Sequence, residues 1–191
     1  MAAASEEDNR IDAELLARLM RTLAFFPKTS IAKVNGAAFG GGVGLIACCD
    51  IALAVDSAKF GLTEARLGLA PAVISPYVID AIGARQARRW FQTAEIFDAS
   101  QALRMNLVHE VVAAEQLDAA CERVLKALLS NGPVAVGECK RLVDRIAGRS
   151  IDDQRTTDTE NAALIARLRV SSEGQEGLGA FLEKRKPSYS D

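Results

Sequence analysis

Two short stretches carry residues able to do chemistry. In the first, Gly40, Gly41, Gly42 and Gly44 lead into the apolar run Leu45-Ile46-Ala47-Cys48-Cys49. Consecutive glycines let a ligand approach the main chain with no Cβ in the way. A helix that starts there aims free N–H groups outward from its first turn. Such a place binds an anion, or holds negative charge developing on a carbonyl oxygen. The same glycines also suit a tight turn that only brings a helix close to a sheet. The spacing is not G-x-G-x-x-G before a long helix, and no G-K-S/T follows. Dinucleotide and P-loop sites are therefore poor matches.

The second stretch is GLTEARLG, in which Glu64 stands between Phe60-Gly61-Leu62 and Leu67-Gly68-Leu69. A carboxyl in apolar company has a raised pKa and suits proton transfer near neutrality. The plainer alternative is a surface cap or a salt bridge to Arg66. His109 is the only histidine, and no acid or nucleophile is near it in sequence. No Ser–His–Asp pattern can be built around it, so it reads as structural. Cys48, Cys49, Cys121 and Cys139 lack metal-ligand spacing, and no metal site is expected. The thiols read as reduced and buried, in a cytoplasmic protein.

The elements that must position these residues follow from apolar period and punctuation. Ile31, Ala32 and Val34 form a short strand broken by Asn35-Gly36. The glycine turn opens a short buried helix, and Ile51 to Val55 is a second strand. Ala58 to Gly61 is extended, with Thr63 a candidate cap for the turn holding Glu64. Ala72 to Ile82 is helical up to Gly83, and Ala84 to Phe91 is a second helix with a solvated basic face. Trp90 and Phe91 read as core. Asp98 is an N-cap, Asn106 a left-handed helix stop, and Leu107 to Val112 a strand. Ahead of all this, Ile11, Leu15, Leu19 and Leu23, with Leu16 and Met20, predict an amphipathic helix capped by Asp8 or Asn9.

From Ala114 the pattern is helical: Gln116 to Leu129, Pro133 to about Ala147, Ile151 to about Val170, and Glu173 to Arg185. The boundary between the strand-bearing core (1–113) and the helical region (114–191) falls near residue 113. Gly174, Gly177 and Gly179 lower the propensity of the last helix and would let it dock closely against another surface. The apolar faces of the C-terminal helices exceed what the core needs and suggest subunit contacts.

Composition sets the remaining limits. The 191 residues, 49% hydrophobic and 25% charged, suit a compact globular chain. A net charge of −2 gives no electrostatic reason to expect nucleic acid or a membrane surface as partner. No apolar run is long enough to span a bilayer, and residues 1–4 lack the regions of a signal peptide.

The stretch NGAAFGGGVGLIACCDIALAVDSAKFGLTEARLGLAP closely resembles the crotonase family, the enoyl-CoA hydratases and isomerases. The likeness continues through AIGARQARRWFQTAEIFDASQALRMNLVHEVV to the terminal GLGAFLEKRKPSY, nearly the whole chain from about residue 10. The resemblance implies an α/β fold, a spiral of β-β-α units with a helical C-terminal region. It implies an enzyme acting on an acyl-CoA thioester through an oxyanion-stabilised enolate, with no metal or redox cofactor, coenzyme A being part of the substrate. It assigns one oxyanion N–H to Gly41 and the acid/base role to Glu64. Gly40, Gly42, Gly44, Pro71 and Ala72 would line the substrate, with backbone groups near Pro71 and Ala72 helping to place a water. Phe181 and Lys184 resemble residues that approach the coenzyme nucleotide on a neighbouring subunit. The C-terminal helices would form a homo-trimer, or hexamers built from trimers.

One family position departs. The second glutamate of the hydratases would fall at Gly44. A glutamate restored there would either raise hydration or destabilise the site. Hydration of a 2-enoyl-CoA is the first reading, with wording closest to bacterial methylglutaconyl-CoA hydratases of branched-chain breakdown. A Δ3,Δ2-enoyl-CoA isomerase needs only one proton shuttle and is the second. A non-catalytic crotonase-like assembly or binding subunit is the third. The family also carries strands ahead of the first helix that supply the other oxyanion donor. The 191 residues alone are therefore expected to show little hydration, and an upstream-extended form to be active.

Overall fold

The computed structural model describes residues 4–190; the start read above for targeting signals lies partly outside them, as does residue 191. The strands are β1 (Ile31–Val34), β2 (Ala38–Phe39), β3 (Ile51–Val55), β4 (Lys59–Gly61), β5 (Ile96–Asp98) and β6 (Glu110–Val112). The helices are α1 (Glu6–Ala24), α2 (Gly41–Cys48), α3 (Ser75–Thr93), α4 (Ala99–Arg104), α5 (Leu117–Leu129), α6 (Pro133–Ile146), α7 (Ile151–Val170) and α8 (Ser172–Leu182). A 3-10 turn spans Glu64–Leu67.

The chain alternates between two three-stranded sheets, one ordered β1-β3-β6 and the other β2-β4-β5. β1 and β2 enter different sheets, α2 follows, β3 and β4 repeat the step, and α3 follows. This is the β-β-α spiral. The first sheet is parallel, with Ile31 opposite Ile51 and Leu53 opposite Glu110. β3 is its middle strand, so Ala52 to Val55 are buried and read as an unbroken apolar run. In the second sheet β4 pairs parallel with β2 and antiparallel with β5. Phe60 and Phe97 stack there at 5.6 Å between centroids, and Trp90 lies 4.7 Å from Phe97.

Gly83, at φ 77°, kinks α3 where the sequence places a helix end. Asp98 caps α4 by accepting from the Gln101 N–H at 2.8 Å, and Asn106 adopts φ 65° as a left-handed stop. His109 is structural: its Nδ1 accepts from the Ala52 N–H at 3.0 Å.

Other expectations are corrected. The cap of α1 is Ser5, which accepts from the Asp8 N–H, not Asp8 or Asn9. The buried face of α1 is Ala13, Ala17, Met20 and Ala24, while Ile11, Leu15 and Leu19 are exposed. The reason is α7, which packs along α1 and presents Ala162 and Ala166. Small residues on both helices permit close approach, and ion pairs of Arg21 with Asp158 and Arg169 with Asp12 fix the register. Thr63 makes no cap bond. The strand after Leu107 is only β6, and α8 ends at Leu182 rather than Arg185. Cys48 is buried, Cys49 and Cys121 are half-buried, and Cys139 is exposed, so the thiols are not uniformly buried. No helix among the described residues is long and apolar enough to cross a membrane.

Candidate active site

The register of β2 against β4 brings the two chemical stretches together. Phe39 pairs with Gly61, and the Gly40 N–H donates to the Gly61 carbonyl at 2.9 Å. The glycine turn therefore leaves one strand beside the point where the chain turns toward Glu64. Gly40 has φ 50° and ψ −117°, a conformation that side chains rarely adopt. A methyl group on it would also lie 3.0 Å from Glu64 Oε1. The carboxyl thus rests directly on the glycine turn.

α2 begins at Gly41, as the sequence implies. The Gly40 carbonyl accepts from the N–H groups of Val43 and Gly44. Those of Gly41 and Gly42, two residues earlier, have no helical acceptor upstream and point out of the first turn. Nothing lies within 4 Å of where a Gly41 Cβ would project. The main chain of Gly41 is therefore open to a ligand.

Glu64 starts the 3-10 turn, and its carbonyl accepts from the Leu69 N–H at 3.1 Å. Its Oε2 is buried with no hydrogen-bond partner among the described residues. Burial pushes the carboxyl above its ordinary value, opposed in part by a bond from its own backbone. No ion pair to Arg66 forms, so the surface-bridge alternative fails. An unpaired buried carboxyl oxygen beside open N–H groups can exchange a proton with a bound molecule whose oxygen those N–H groups hold.

The other sequence-stretch residues divide. Gly42 is half-buried on the first turn of α2, with a projected Cβ 3.5 Å from the Ala38 methyl. Gly44 does not line open space: a Cβ there would lie 2.8 Å from Ile74 Cβ and 3.2 Å from Met20 Cε. Pro71 and Ala72 are buried. Pro71 has no N–H, the Ala72 N–H donates to the Ala70 carbonyl at 2.8 Å, and the Ala72 carbonyl accepts from Ser75 Oγ at 2.8 Å. Of the backbone groups expected to help place a water, the Ala72 N–H is therefore already bonded within the chain. Phe181 and Lys184 are exposed at and beyond the end of α8. Sequence reasoning missed Ile74, the residue that fills the volume above Gly44; no spacing signal marks it.

The family model for enoyl-CoA hydratase/isomerase matches residues 1–191. The chain belongs to this family. It is 32% identical over 173 residues to a crotonyl-CoA hydratase of Syntrophomonas wolfei, covering 90% of this chain and 65% of that protein. Among solved structures, an enoyl-CoA hydratase from Mycobacterium avium superposes with a TM-score of 0.88 at 34% identity, covering 97% of this chain and 72% of the other. An enoyl-CoA hydratase from Shewanella pealeana is 49% identical, with a TM-score of 0.74 and coverage of 98% and 69%. The chain spans 72%, 65% and 51% of the lengths of three curated relatives.

The packing over Gly44 decides what a glutamate there would do. Gly44→Glu is expected to destabilise the fold by about 3 kcal/mol or more, through overpacking against Ile74 and burial of a charge. Urea unfolding measures this. A variant as stable as the parent with faster hydration would show that the site has room for a second carboxyl.

Proposed function

We propose that this protein is an enoyl-CoA hydratase that adds water across the 2,3 double bond of an enoyl-CoA thioester. The observation that carries the reading is the Glu64 carboxyl seated on Gly40 beside the open first turn of α2, with its Oε2 buried and without a hydrogen-bond partner among the described residues. The thioester oxygen takes up charge against the Gly41 N–H, so that the developing enolate is held in a low-dielectric place. Glu64 takes a proton from water and returns that proton to the α-carbon. Gly40 and Gly42 leave the main chain clear for the acyl group. The similarity of the whole chain to proteins named enoyl-CoA and crotonyl-CoA hydratases supports this.

A specific observation also favours isomerisation. Position 44 is a glycine, and Ile74 occupies the space a side chain there would need, so Glu64 is the carboxyl that remains of the two positions the family resemblance assigns. One carboxyl can carry one proton between two carbons of a 3-enoyl-CoA. Absorbance of the conjugated enoyl thioester separates the two on the whole gene product. With crotonyl-CoA the band falls if hydration occurs; with a 3-enoyl-CoA it rises if isomerisation occurs. No change with either substrate would sink both readings.

The assembly proposed is a homo-trimer, or a hexamer of two trimers, acting in the cytoplasm. Leu129 at the end of α5 is 82% exposed, and Val134 and Ile146 on α6 are 75% and 77% exposed. Closed symmetric association would bury these side chains. Phe181 and Lys184 would then face a coenzyme nucleotide held by a neighbour, consistent with their exposure in the single chain. Light scattering at micromolar concentration is expected to give a multiple of the 20.4 kDa chain; a clean monomer would reject the assembly.

A further inference from the structure

The 3-10 turn that carries Glu64 packs chiefly against α8. The contact is made by main chain on main chain. A methyl on Gly177 would run into the carbonyl group of Leu67 and the Tyr189 hydroxyl. A methyl on Gly68, which closes the turn at φ 66°, would lie 2.5 Å from the Glu173 carbonyl oxygen and 2.9 Å from the Gly174 nitrogen. Tyr189 then reaches back over 123 residues to donate its hydroxyl to the Arg66 carbonyl at 3.0 Å. The tail bearing Tyr189 is itself anchored on α8. Glu176 accepts from Arg185 at 2.6 and 3.0 Å and from the Ser188 N–H at 2.7 Å. The Arg185 guanidinium holds the Glu176 carboxyl down at about 2, so this clamp stays charged across the working range.

From this geometry, and resting on the assignment of Glu64 as the acid/base, we propose that Gly177 and Tyr189 are positioning residues for Glu64. Neither touches the reacting atoms. They hold the Arg66 and Leu67 main chain, two and three residues along the same turn, and so set where the Glu64 carboxyl stands relative to Gly41. The turn has no side-chain cap of its own. A tight turn with that lack needs an outside support to keep one geometry, and the glycine face of α8 with the Tyr189 hydroxyl supplies it. Substrate binding by the glycine turn of α2 does not depend on this support.

The test is steady-state hydration of crotonyl-CoA by the intact protein carrying Tyr189→Phe or Gly177→Ala, with Glu64→Gln alongside. Loss of the single Tyr189 bond is expected to lower kcat about threefold to tenfold. Gly177→Ala displaces the turn by a fraction of its own width and is expected to lower kcat about a hundredfold. KM should stay within about twofold of the parent in both variants. If Gly177→Ala fails to fold, Tyr189→Phe alone decides. Parental kcat in Tyr189→Phe, with Glu64→Gln inactive, would overturn the positioning role and leave the acid/base assignment standing. So would a loss that tracks the unfolded fraction and vanishes well below the thermal midpoint. A Glu64→Gln variant with full turnover would instead overturn the assignment on which the inference rests.

Discussion

Glu64→Gln is expected to lower turnover on every enoyl-CoA the parent accepts by about two to four orders of magnitude, the usual contribution of a positioned proton-transfer group. The glutamine keeps the shape that rests on Gly40 and removes only the titratable oxygen. Acyl-CoA affinity should persist, because the Gly41 N–H and the glycine turn are untouched. The same change should alter stability in the opposite sense. The Glu64 carboxyl is raised above its ordinary value of 4.5 by burial. Between that value and the folded one, the unfolded chain has lost its proton and the folded chain has not. Stability therefore falls as pH rises through this window, and is unaffected by Glu64 below it. Relative to the parent, the glutamine variant should gain thermal stability as pH climbs above 4.5. An inactive but stabilised variant identifies a group kept for chemistry. Parental turnover would show that Glu64 is not the acid/base.

Gly41→Val is expected to cost about two to three orders of magnitude in turnover, comparable to losing one oxyanion donor. The space over Gly41 is open, and its φ is not in the left-handed region, so the chain can accept a side chain there. The branched side chain then stands where the thioester must lie. Helix propensity changes by only a few tenths of a kcal/mol. Circular dichroism should match the parent while activity is lost. An active Gly41→Val protein would reduce the turn to a structural device that brings α2 close to the sheet.

Much of this was legible in the residues, for physical reasons that differ by element. β3 is buried on both sides, so its apolar run could be read directly; Gly83, Asp98 and Asn106 carry their own local signals. The glycine turn and Glu64 were each visible, but their meeting depends on the pairing of Phe39 with Gly61 across β2 and β4. Strands of two and three residues leave almost no periodic trace. The face of α1 was misread because leucine and isoleucine outweigh alanine in any hydrophobic pattern. Close packing on α7 nevertheless selects the alanine face. Ile74 over Gly44 and Tyr189 under the Glu64 turn are long-range contacts of unremarkable residues. The glycines of α8 did signal close docking; their target, the chain's own turn at Glu64–Leu67, required the fold.

The most direct test of Glu64 as the single desolvated acid/base is the pH dependence of kcat/KM for crotonyl-CoA, measured on the intact protein. A carboxylate base must be ionised to accept the proton from water. The expected profile rises with pH along one limb whose midpoint lies above 4.5, the ordinary value of a glutamate. The residual rate of Glu64→Gln should lack that limb. A profile flat across the carboxylate range, or the same limb surviving in Glu64→Gln, would contradict the assignment.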